Sequence, residues 1–286
     1  MFLFISIGTI ASLSAAQTPT DFREVEQALG APGQMQDGAF VVSFPRSDIK
    51  VTIYGENVPT AFGLGSWTAW KNMGKETMVM GDLVLLEKEI NHVISALAEA
   101  DINVSALHNH FLGEKPRIMY MHIHGMGQAG ALARGIRKAL DKTGTPRSHP
   151  VATSASPAVN TKRIEEIIGH AGKAGGGIFK ITVGRPGVRM NGVELTSSMG
   201  LNSWIAFIGT NERSHVAGDI AMVANEVNPV IRALRKHGIR ILAVHNHMLA
   251  EEPRIFFLHY WGTGKAENLA RAFHDALGQL KESGAK

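Results

Sequence analysis

Seven of the chain's 13 histidines fall in two short stretches that repeat one another. Residues 103–125 read N-V-S-A-L-H-N-H-F-L-G-E-K-P-R-I-M-Y-M-H-I-H-G, and residues 240–262 read R-I-L-A-V-H-N-H-M-L-A-E-E-P-R-I-F-F-L-H-Y-W-G. His108, His110 and His122 return as His245, His247 and His259 at a constant offset of 137, and His124 stands where the second copy has Trp261. On an extended strand, residues two apart share a face, so each H-x-H pair aims both rings the same way. Neutral imidazoles suit zinc, copper, nickel or iron, and three of them leave a coordination position free. With no cysteine in the chain, no thiolate competes. The pattern predicts a divalent transition metal, zinc or copper, on a β-hairpin of each repeat. His108, His110, His122 and His124 are the ligands in the first copy, and His245, His247 and His259 those in the second. The fourth histidine makes the first copy the stronger candidate.

Other side chains could complete such sites. Glu89 and its repeat partner Glu226 sit where a strand gives way to a helix, and each could add a carboxylate ligand; Glu114 and Glu251 follow each H-N-H by four residues. Arg117 and Arg254, each after a proline, could clamp an anion through a bidentate fork. Trp67 and Trp204 read as core, with stacking on a small molecule as their alternative role. The competing account of the histidines is structural, as hydrogen-bonding groups on a polar sheet face. Against it, all three survive in both copies while neighbours change, Ser105 to Leu242 and Tyr120 to Phe257.

The elements that must carry these residues also repeat. Thr20 or Asp21 caps a helix with Phe22, Val25 and Leu29 at helical spacing, followed by strands at 40–44 and 49–54, then around Trp67 and from Thr77 to Leu85. Asn91 caps a second helix, the histidine hairpin follows, and 128–140 forms a third helix with Leu132, Ile136 and Leu140 inward. After the Pro/Ser/Thr-rich stretch 144–160 the order recurs: a helix at 161–168, a strand at 178–183, Ser203-Trp204 answering Ser66-Trp67, and Gly218-Asp219 answering Gly81-Asp82. The fold class expected is therefore α+β: two homologous repeats, 17–143 and 161–286, joined by linker 144–160. Each is a mostly antiparallel sheet with helices on one face. Pairing of the strands into one continuous sheet is an alternative. H-x-H-x-x-x-E at His108–Glu114 and His245–Glu251 also imitates a cupin motif, which makes a bicupin-like β-barrel the alternative fold.

Composition bounds the function. With 44% hydrophobic and 19% charged residues the chain is that of a globular protein. Its net charge of +4 includes no Lys/Arg block of the kind that binds nucleic acid or a membrane surface. Residues 1–16 carry no charge and end in small residues at Ser14 and Ala16, which suits an export signal cleaved before Gln17. No cysteine is present for a lipid anchor.

The combination of G-D-L-V-L-L-E-K-E-I-N, A-L-H-N-H-F-L-G-E-K-P-R-I and M-H-I-H-G resembles the LppY/LpqO family of bacterial secreted or lipid-anchored proteins, as does its repeat G-D-I-A-M-V-A-N-E-V-N-P, A-V-H-N-H-M-L-A-E-E-P-R-I and L-H-Y-W-G. The resemblance implies a duplicated unit and export to the periplasm or the extracellular space, and it brings no established activity. Residues and resemblance together predict an exported metal-binding protein, with a metal-dependent hydrolase or a copper redox enzyme as the reactions such ligands serve. The alternative is a non-catalytic envelope binding module for a small organic anion. The partner expected is a small molecule, with neither nucleic acid nor a stable membrane anchor.

Overall fold

The structure, a computed structural model, describes residues 22–147 and 155–281. The export signal expected at 1–16 and part of the expected linker lie outside these residues. The first repeat runs α1 (Arg23–Leu29), β1 (Gly33–Gln36), β2 (Ala39–Pro45), β3 (Gly65–Asn72), β4 (Thr77–Leu86), α2 (Ile90–Ala98), β5 (Asn103–His108), β6 (Ile118–Gly127) and α3 (Ala129–Leu140). The second runs α4 (Thr161–Ile168), β7 (Gly172–Gly175), β8 (Ile178–Gly184), β9 (Asn202–Gly209), β10 (Ser214–Met222), α5 (Val227–Lys236), β11 (Arg240–His245), β12 (Phe256–Gly264) and α6 (Ala266–Leu277). Each repeat forms its own six-stranded antiparallel sheet, in the orders β1-β2-β3-β4-β6-β5 and β7-β8-β9-β10-β12-β11. The fold is α+β and duplicated. Neither the bicupin-like barrel nor the single continuous sheet is formed, because both sheets are open and separate.

The two-residue period of the strands sorts the side chains between two cores. On β6, Met121 and Ile123 pack with Val25, Val93, Leu132 and Ile136 of the helices, while Tyr120 and His122 point the other way. On β12, Leu258 and Tyr260 join the helical core of the second repeat, and Phe257, His259 and Trp261 face away from it. Those opposite faces meet each other: one buried cluster unites Phe62, Val84, Phe111 and Tyr120 with Trp204, Ala206 and Trp261. The result is four layers, with the histidine-bearing sheet faces turned inward. Buried on both sides, β4 and β10 lose the alternation of a half-exposed strand. Gly218 is required on β10, since a Cβ there would lie 2.3 Å from the Trp204 carbonyl oxygen of the neighbouring strand.

The junction of β4 with α2 corrects one expectation. Asn91 does not cap the helix; Glu89 holds the cap position, preceded by a short 3-10 turn. Its carboxylate accepts from the backbone N–H of Leu86 (2.8 Å) and of Gly144 (3.0 Å), and from both terminal nitrogens of Arg46, which is fully buried. Glu226 does the same in the second repeat, accepting from Val223 N–H, Lys281 N–H and the Arg185 guanidinium. These two carboxylates are committed to pinning the helix to the strand. Both glutamates, expected as auxiliary ligands, lie with these partners and outside the four-histidine group. Removing one partner of a buried pair costs about 3–5 kcal/mol. Glu89→Ala should lower unfolding free energy by about that amount in urea titration, and leave the metal content of the folded fraction unchanged. Loss of metal with stability intact would reinstate it as a ligand.

Candidate metal centre at the repeat interface

The two hairpin strand pairs face each other, and their histidines meet in one cluster. The histidines expected to form one site on each repeat thus lie together in a single cluster between the repeats. His108 stacks on its own repeat counterpart His245, with ring centroids 3.6 Å apart. His110 stacks on His259 at 3.5 Å and His122 on His247 at 3.6 Å. Exchanging the repeats converts one of these last two pairs into the other, so an approximate two-fold axis passes between His108 and His245. Tyr120 covers His110 (3.6 Å), and its counterpart Phe257 covers His247 (3.5 Å). Hydrogen bonds tie the halves together here: Ser105 Oγ donates to the His247 carbonyl (2.6 Å), and Asn109 Nδ2 to the Leu242 carbonyl (3.3 Å).

His108, His245, His247 and His259 place one ring nitrogen each within 4.8 Å of one another. A tetrahedral shell with bonds of 2.0–2.1 Å spaces its nitrogens by about 3.4 Å, so a contraction on the order of 1 Å closes the set around one ion. The tautomers favour it. His108 Nδ1 lies 3.1 Å from the Asn109 carbonyl and His245 Nδ1 lies 3.3 Å from the Asn246 carbonyl. A carbonyl only accepts, so Nδ1 carries the hydrogen and Nε2 keeps its lone pair. The Nε2 atoms of His110, His245, His247 and His259 are buried without a hydrogen-bond partner. His122 Nε2 lies 2.9 Å from His108 Nε2, and an ion at His108 would displace that bond.

Electrostatics keep the rings neutral. Burial pulls the imidazole of His108 down to about 4 and that of His245 to about 3, with His108 itself adding to the second shift. Burial, and then repulsion among neighbouring imidazoles, holds His110, His122, His247 and His259 well below the ordinary range. Neutral imidazole is the form that ligates metal. Asp82 and Asp219, equivalent residues of β4 and β10, approach from the same sheet faces: Asp82 lies 4.0 Å from His122 Nε2, and Asp219 3.6 Å from His259 Nδ1 and 3.9 Å from His247 Nε2. Burial raises both carboxyls well above their usual range. The repeat comparison aligned these aspartates, yet their placement on the strand flanking the histidines needed the register Asp82↔His122 and Asp219↔His259.

The remaining expected residues are placed elsewhere. His124 lies opposite Met80 and Asn103 and is outside the four-nitrogen group. Three of the four nitrogens come from the second copy and one from the first. Arg254 donates to the carbonyls of Met248 and Leu249 and lies 3.7 Å from Glu251. Arg117 is exposed, and neither arginine lines the cavity that reaches the cluster. That cavity, of about 880 Å³, lies between the sheets and is bounded by His110, His122, His247, Asp82, Asp219, Trp67 and Trp204. The tryptophans expected as core are in it, Trp204 buried and Trp67 partly so, and both also border this cavity.

The sequence profile of the Domain of Unknown Function DUF1259 matches residues 23–142 and again 162–279. The chain belongs to this family. It carries two copies of the domain. No curated protein matches it. Among solved structures, it is similar to the trimeric bacterial microcompartment shell protein PduB (13% identity, 87% of this chain and 90% of that one, TM-score 0.22). It is also similar to EtuB from Clostridium kluyveri (7% identity, 86% and 88%, TM-score 0.21) and to a double ringed trimeric shell protein of the RMM microcompartment (11% identity, 71% and 80%, TM-score 0.19). TM-scores this low carry neither the shell proteins' assembly nor their role over to this chain.

These findings correct the family and what came with it. The matching family is DUF1259 in place of LppY/LpqO, and the expectation of a secreted, periplasmic or extracellular protein falls with that resemblance. The exported metal-dependent hydrolase or copper redox enzyme, and the envelope module in which Arg117 and Arg254 clamp an organic anion, are withdrawn as well: the matching family is one of unknown function and supplies neither export nor an activity, and neither arginine lines the cavity. Among the described residues, no helix is long and apolar enough to cross a membrane.

Proposed function

We propose that the DUF1259 pair closes around one transition-metal ion, zinc or copper, shared between its two repeats. The ligands are His108, His245, His247 and His259, with His110 and His122 lining the same centre and a small molecule reaching it through the interface cavity. One observation carries the reading: four buried imidazole nitrogens from both repeats converge within 4.8 Å. Packing alone gives no reason for so many acceptor nitrogens to be buried unpaired, each of which costs about 1–3 kcal/mol. Bound metal would satisfy three of them, on His245, His247 and His259, and join the repeats. Elemental analysis after zinc or copper reconstitution tests this. About one equivalent per chain is expected. Two equivalents would restore a site in each repeat, and none would leave a stack of hydrogen-bonded neutral histidines with a structural role.

A further inference from the structure

The interface cavity is lined almost symmetrically by the two repeats. Trp67 and its repeat counterpart Trp204 both line it, as do Asp82 and Asp219. The symmetry breaks at one charged position. Val41 of β2 pairs with Ala69, whereas the same place on β8, paired with Ala206, is Lys180. Its ammonium lies 4.2 Å from the Trp204 ring centroid, and among the described residues no carboxylate comes within ion-pair distance. Asp219 supports the charge from further away, but burial dominates and pulls the amine down to about 8. A lysine ordinarily stretches its ammonium into water or onto an acid. Here it is kept against an aromatic wall inside a cavity large enough for a small organic molecule.

We propose that Lys180 anchors the carboxylate of a small molecule whose apolar part lies between Trp67 and Trp204, facing the imidazole centre. The cation, with no carboxylate within ion-pair distance among the described residues, supplies charge-assisted hydrogen bonds, and the two indoles supply apolar area and ring faces. The asymmetry gives the ligand one orientation in an otherwise two-fold cavity. This goes beyond the metal reading, because it stands on Lys180 and the tryptophans and on none of the histidines.

The test is calorimetric titration of the full chain with acetate, benzoate and succinate, using benzamide as the uncharged counterpart of benzoate, in metal-free and zinc-loaded protein. At least one carboxylate should bind; if it is benzoate, it should bind about tenfold or more tighter than benzamide. Lys180→Met should weaken the carboxylate by about tenfold or more, while Lys180→Arg, which keeps the charge, loses much less. Thermal unfolding separates this from a structural role: Lys180→Met removes a desolvated charge and should leave Tm unchanged or higher. Failure of all three carboxylates to bind, binding insensitive to Lys180→Met, or equal affinity for benzoate and benzamide overturns the proposal. Lys180-dependent carboxylate binding in a protein that takes up no zinc would defeat the metal reading alone. Zinc uptake without carboxylate binding would defeat this one alone.

Discussion

Replacing His245 alone with alanine is expected to remove the whole equivalent of bound zinc, and His108→Ala should do the same from the other repeat. The rings stack on each other at 3.6 Å across the approximate two-fold axis, and the proposed centre takes ligands from both repeats. Independent sites would respond differently, each substitution removing one ion and sparing the other. The effect on stability follows from mass action. An ion bound only by the folded chain contributes RT ln(1 + [L]/Kd), about 4 kcal/mol at a thousand times Kd. At about 2–4 °C per kcal/mol for a chain of this size, zinc should raise the wild-type Tm by on the order of 10 °C. The same addition should move the Tm of either variant very little. Scanning calorimetry with and without zinc checks both halves. A zinc-dependent rise of equal size in His245→Ala would remove that residue from the site, and a rise in neither protein would remove the ion altogether.

How much of this was legible in the sequence depends on the length scale of each feature. Local periodicity predicted the helix at 161–168 with its bounds, and α3 to within one residue; it also predicted the strands around the histidines. Repetition at a constant offset identified the duplicated α+β units and the histidines worth attention. Each repeat, however, was read as a unit complete in itself. Nothing in 3.6- or 2-residue periodicity says that a sheet covered by helices on one face meets another sheet on the second. The signal was present in β4 and β10, whose runs are apolar on both faces: T-M-V-M-G-D-L-V-L-L and S-H-V-A-G-D-I-A-M reserve no side for water. A strand of that kind requires a second covering layer, and duplication supplies one. From that requirement the union of the two histidine sets would have followed.

The partners of the two glutamates are hidden from the sequence for a related reason. Glu89 and Glu226 repeat as faithfully as the histidines, but equivalence cannot separate a ligand from a helix pin. Their partners, Arg46 and Arg185, lie 43 and 41 residues earlier in sequence, and the pairing exists only once the sheet edge meets the helix start. Asp82 and Asp219 were visible as a repeated G-D, yet their approach to the rings depends on the pairing of β4 with β6 and of β10 with β12. Lys180 carried no repeat signal at all. It is informative because the second copy departs from the first there.

Acid should unfold the metal-free protein over an unusually steep range, between about pH 6.5 and pH 4. Six interface histidines have folded-state values depressed below the ordinary 6.5, His108 to about 4 and His245 to about 3. In that window the unfolded chain binds protons that the folded chain refuses. Stability therefore rises with pH, and falls as pH drops from 6.5 towards the folded-state values. Asp82 and Asp219 act in the opposite sense: with folded values raised above 3.8, they hold protons that the unfolded chain releases, so stability falls as pH rises past 3.8. Within this cluster, six histidines against two aspartates leave a net uptake on unfolding of up to four protons, each worth about 1.4 kcal/mol per pH unit, and His124 and His215, also lowered by burial, add to it in the same sense. Urea midpoints measured every half unit from pH 7.5 to 4.5 would give the slope. The variant His108→Asn/His245→Asn lacks two of the titrating rings, and its curve should be shallower by up to two protons. A flat profile in the wild type would mean that the cluster accepts protons while folded, which six rings packed at these distances could do only by moving apart.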